Sequence, residues 1–77
     1  MNKEKREILH SAISLIDSAI NKVRSVEFSE QDSMDNMPEN LQYSDRYESM
    51  ENAVAALENA EQSLEDARDN ILDAINV

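Results

Sequence analysis

Two residues near the start of the chain, Glu7 and His10, have the types and spacing that most suggest chemistry, in Glu7-Ile8-Leu9-His10. Helical bundles use that Glu-x-x-His spacing in carboxylate-bridged di-metal sites, where both side chains must face the bundle interior. Here the apolar positions that follow, Ile13 and Ile16, lie on another face. The carboxylates such a site needs are missing from that face at this level, so the pair is expected to be solvated, with no metal. His10 has no Ser, Cys or acid in a catalytic arrangement. The chain has no cysteine, which excludes thiolate zinc sites, thiol nucleophiles and disulfides. It has no glycine either, which excludes phosphate-cradling loops. No catalytic residue, metal ligand or cofactor site is assigned, and the chain reads as a non-enzyme.

Charge is the next feature that could act. Seventeen acids against seven bases give a formal charge of −10, which argues against direct binding to nucleic acid or an anionic membrane. The excess is uneven. Residues 1–36 hold 7 acids and 5 bases, whereas residues 37–77 hold 10 acids and 2 bases. Glu51, Glu58 and Glu65 recur every seven residues, and Asp66, Asp69 and Asp73 crowd the last turns. The plain account is a solubilising face. The alternative is an acidic inhibitor whose carboxylates occupy the nucleic-acid groove of a host defence protein. Acids near a helix C-terminus oppose the macrodipole. A hairpin would bring Lys3, Lys5 and Arg6 back beside them.

These groups must be held by helices, because the apolar residues repeat with helical spacing. Leu9, Ile13, Ile16, Ile20 and Val23 follow the 4-3-4-3 pattern of a heptad seam. Glu27 and Glu30 interrupt it, but Met34 and Met37 resume the same phase, so the first helix is expected over about 3–36. A helix stopping near Phe28 would leave a loop long for a compact bundle. Asp35-Asn36-Met37-Pro38-Glu39-Asn40 is the one dense cluster of turn formers, and its proline disfavours helix at the residue before it. The turn is expected over about 37–44, with Asn36 and Asn40 in left-handed conformations. Ser44 or Asp45 can cap the second helix, expected over about 45–75.

The second seam is Tyr47, Met50, Val54, Leu57, Leu64, Ile71 and Ile75, with Glu61 and Arg68 as charged members. These two have a plain reading as edge positions with wet tips. Their functional reading is fixing register, with Arg68 pairing Glu61 or a partner chain's glutamate. Ala53, Ala60, Ala67 and Ala74 recur every seven residues, and are expected to let the two helices approach closely. Met34, Met37, Leu41, Tyr43, Tyr47 and Met50, with Phe28, gather near the turn. They form either a plug closing the bundle end or an adaptable protein-binding surface.

Equal helices joined by a short turn predict an all-α antiparallel hairpin, with Leu9 near Ile71, Ile16 near Leu64 and Val23 near Leu57. Such a hairpin is short of core. Ile, Leu, Val and Phe total 17 of 77 residues, and chains this small rarely have cores that stabilise them by more than ~3–5 kcal/mol without staples. Ile8, Ala12, Leu15 and Ala19 lie beside the main stripe and predict a homodimer forming a four-helix bundle. No apolar run approaches a membrane span, and no clean signal peptide is present, so a cytoplasmic protein is expected.

The stretch Asp35-Asn36-Met37-Pro38-Glu39-Asn40-Leu41-Gln42-Tyr43-Ser44-Asp45-Arg46, leading into Met50-Glu51-Asn52-Ala53, resembles a pattern in short acidic helical proteins of Gram-positive phages and prophages. Those proteins look like a Lys/Arg-rich first helix, a turn of the type N-L-P-E-S-L-Q-x-S-E-R, and an acidic Ala/Leu/Ile helix. Met37 here replaces the usual Leu, and Tyr47 stands where the pattern often has Gly. The resemblance implies phage or prophage origin in a bacterial host cell and a protein-binding role, with no catalytic residues.

Overall fold

Asn2 opens the first helix. Its Oδ1 accepts the Lys5 N–H at 2.8 Å, meeting one of the donors that a helix N-terminus leaves unpaired. In the computed structural model, which describes residues 1–77, helix α1 runs Lys3–Asp35 and helix α2 runs Asp45–Ile75. The two pack along their lengths into an antiparallel hairpin with Cα extents of 59 × 15 × 13 Å. The fold is all-helical, as the apolar spacing predicts.

Helix α1 continues through the polar stretch after Phe28 for visible reasons. Ser33 Oγ donates to the Ser29 carbonyl at 3.0 Å, and Gln31 Nε2 donates to Asp35 Oδ1 at 3.1 Å. These are local bonds that the exposed face can supply. The larger reason is Met34, which is buried one turn beyond half-buried Glu27 and Glu30. Continuing the helix returns an apolar side chain to the seam, which outweighs the weak helix propensity of Ser29, Asp32 and Ser33.

The turn corrects one expectation. No residue has positive φ, so neither Asn36 nor Asn40 is left-handed. Asn36 ends α1 in right-handed geometry at φ −91°, ψ −1°, and Pro38 is extended at φ −55°, ψ 143°. A single 3₁₀ turn over Glu39–Leu41 then completes the reversal. Spreading the reversal over residues 36–44 removes any need for a left-handed residue. Backbone hydrogen bonds from Leu41 to Pro38 (2.8 Å) and from Ser44 to Leu41 (3.1 Å) occupy this connection. Ser44, rather than Asp45, caps α2: its Oγ accepts the Tyr47 N–H at 3.2 Å while donating to the Leu41 carbonyl at 2.7 Å.

The core is thin. Only Ile20, Met34, Val54 and Ile75 are buried; the other seam residues are half-buried. The alanine repeat does not line the contact between the helices. Ala53, Ala67 and Ala74 are exposed and Ala60 is half-buried, because they precede the seam residues and turn onto one open side of the hairpin.

Candidate protein-binding face

Antiparallel packing sorts the two helices' flanking residues by their place beside the seam. Residues that precede a seam position lie on one side of the hairpin, and residues that follow one lie on the other. This holds for both helices at once, since reversing the second helix also reverses the direction in which its seam faces.

The side that follows the seam is charged. Asp17 and Arg24 of α1 follow Ile16 and Val23, and Glu65 of α2 follows Leu64. Arg24 spans the groove: its Nε donates to Glu61 Oε1 and its Nη2 to Glu65 Oε1, both at 2.8 Å. Arg68 Nη1 donates to Asp17 Oδ1 at 3.1 Å, and its Nε lies 3.7 Å from Asp69. The hydrogen bond to Asp17 raises the Arg68 pKa above its ordinary value, against partial desolvation, with the charges of Asp17, Asp69 and Glu65 adding to it. The sequence-based pairing of Arg68 with Glu61 is therefore replaced. Both residues reach across to α1, where an oppositely charged side chain stands at the matching level.

These bonds revise the other charged candidates. Glu65 belongs to the cross-helix network and is half-buried, and Asp66 accepts from Gln62 at 3.0 Å. Glu51, Glu58 and Asp73 stay exposed. Lys3, Lys5 and Arg6 form no ion pair with Asp66, Asp69 or Asp73; Lys3 reaches Glu7 of its own helix at 3.9 Å, with both side chains largely in water. Glu7 and His10 are exposed, and nowhere do three His, Cys, Asp or Glu side chains converge as metal ligands would. Replacing both Glu61 and Arg68 by Leu is expected to raise the melting temperature and broaden the distribution of oligomers. An unchanged mass distribution in sedimentation would count against a register role for the pair.

The opposite side is apolar. Ile8, Leu15 and Val26 of α1 are exposed there, Leu15 at 71%, with Ala12 and Ala19 half-buried between them. Alongside on α2 run Ala53, Ala56, Ala60, Ser63, Ala67, Asn70 and Ala74, which are all small or short. At the open end, Met1, Lys5, Ile8 and Leu9 line a cleft of about 240 Å³. Heptad arithmetic identified Ile8, Ala12, Leu15 and Ala19 as surplus and the alanines as a repeat. That the two sets share one face was not legible until the helices were docked.

The turn cluster divides. Met34 is buried, and Met37, Tyr47 and Met50 are half-buried, so these four close the hairpin's end as a plug. Leu41, Tyr43 and Phe28 are exposed, Tyr43 almost fully at 98%. Gln42, Tyr43, Ser44, Tyr47, Glu48 and Glu51 line an open cleft of about 220 Å³ beside it.

Fold and surface together define an all-α antiparallel hairpin with one ion-paired side and one apolar side. No protein-family model, curated protein or solved structure matches the chain. No helix is long and apolar enough to cross a membrane.

Proposed function

We propose that the protein is a non-enzymatic helical hairpin that acts by self-association and by binding other proteins. One observation carries this reading: the side of the hairpin away from its ion pairs leaves Ile8, Leu15 and Val26 in water while only four side chains are buried. The physical remedy for so thin a core is a second apolar surface, because association buries what the monomer cannot. The exposed Leu41 and Tyr43 beside the turn cleft offer a second contact point for a phage or host protein, in keeping with the resemblance of this turn to phage and prophage proteins. Acidic mimicry of nucleic acid is the lesser reading, since Arg24 ties Glu65 into the hairpin's own network.

Sedimentation or light scattering checks the first part. At micromolar concentration the expected mass is twice the 8.8 kDa of one chain; a folded 8.8 kDa species there would refute self-association. Affinity capture at low and moderate salt separates the two partner readings. Apolar docking through Leu41 and Tyr43 should persist with salt and be lost in their alanine variants. Binding by mimicry should fade with salt and vanish when Glu51, Glu58 and Glu65 are reversed in charge.

A further inference from the structure

Building on the self-association reading, we infer that the dimer is a face-to-face pairing of the two apolar sides, with α1 of each copy lying over α2 of the other. The exposed area motivates it first. A folded monomer of 8.8 kDa should expose about 4,800 Å², and this hairpin exposes 5661 Å². The apolar side spans roughly 30 Å of helix and two helix widths, about 600 Å² per copy. Two such sides bury about 1,200 Å², the lower bound for a stable specific interface.

Shape then selects the arrangement. The large residues of this side all belong to α1, whereas α2 contributes only small or short ones. A two-fold axis along the hairpin puts α1 over the partner's α2 with both turns at the same end. At the level set by the Asp17–Arg68 and Arg24–Glu61 pairs, Leu15 then stands over the partner's Asn70, in the gap between the partner's Ala67 and the partner's Ala74. By the same spacing Val26 stands between the partner's Ala56 and the partner's Ala60, and Ile8 lies just beyond the partner's Ala74 at the end of that helix. Leu15 and Val26 each meet a gap flanked by alanines, so both copies can close to helix-packing distance. A two-fold axis across the hairpin would instead stack α1 on α1 and α2 on α2.

Charge selects the same arrangement. Residues 37–77 hold 10 acids and 2 bases, and residues 1–36 hold 7 and 5. Placing α2 on α2 would bring the two most acidic segments together, whereas α1 on α2 separates them.

The test compares dissociation constants, by sedimentation, of the full chain and variants of this side. Leu15→Glu is expected to weaken the dimer at least a hundredfold. Ala67→Leu puts a large residue against a large one and should weaken it at least tenfold. Because Ala67 is exposed and leucine is a good helix former, that hairpin should stay helical by circular dichroism, so a folding defect is not confused with loss of the interface. The decisive variant is the exchange Leu15→Ala with Ala67→Leu, which should restore affinity to within about threefold of the original. A dimer that tolerates Leu15→Glu and Ala67→Leu unchanged, or an exchange that fails to rescue, overturns this face while leaving self-association standing. A monomeric parent chain overturns both.

Discussion

Ile20→Ala is expected to leave the chain largely unfolded at 25 °C. Ile20 is the most buried residue of the hairpin, 3% exposed, and it sits midway along α1, where both helices contribute to its surroundings. Truncating a buried isoleucine to alanine costs about 2–5 kcal/mol, through lost transfer free energy and the cavity left behind. A two-helix core of this size supplies about 3–5 kcal/mol in total. One substitution therefore removes most of the margin. Urea unfolding followed by circular dichroism gives the value, with Phe28→Ala as reference. Phe28 is 65% exposed, on neither the seam nor the apolar side, and its truncation should change stability by no more than about 0.5 kcal/mol. Equal losses in the two variants would mean that Ile20 is not the centre of the core.

Arg24→Ala is expected to cost more than an ordinary surface ion pair, about 1–2 kcal/mol. Exposed pairs usually contribute less than that, because solvent screens them and ordering two long side chains opposes them. This pair is asymmetric. Arg24 is 45% exposed, but the Glu61 side chain is only 12% exposed and lies on the seam between the helices. Removing the guanidinium leaves that carboxylate partly desolvated with its partner gone, and Glu65 loses its contact as well. Combining Arg24→Ala with Glu61→Leu should recover the lost stability, since an apolar residue suits the seam once the charge is removed. The comparison is made by denaturant unfolding at low and high salt. A single-variant loss that salt erases, or a double variant no better than the single, would reduce the network to screened surface charge.

The two cases show which parts of the protein could be read from residue order. Helix α1 past Glu27 and Glu30 was legible because Met34 and Met37 keep the heptad phase, and that phase is a property of one helix alone. The start of α2 was legible to within one residue, as a cap by Ser44 or Asp45, because a capping bond such as that of Ser44 reaches only three residues ahead. The turn was harder: a dense run of Asn, Asp and Pro announced a reversal without fixing its backbone, and a right-handed cap followed by a 3₁₀ turn replaced the expected left-handed asparagines. The candidates for chemistry were legible mostly as exclusions, from residue types the chain does not contain.

Pairing across the hairpin was not legible in the same way. Glu61 was the natural partner for Arg68 on one helix, yet Arg68 bonds Asp17, 51 residues away. The alanine repeat told the same story on a larger scale. A seven-residue period states that Ala53, Ala60, Ala67 and Ala74 share a face, but not what that face meets. By itself, then, the sequence determined two long helices and the break between them, and narrowed the cap of the second to Ser44 or Asp45, because these depend on periodicity and contacts within a few residues. Only the tertiary structure decided that the ion pairs occupy one side and the alanines join Ile8, Leu15 and Val26 on the other. That outcome depends on the direction in which the second helix returns against the first, and no local pattern carries it.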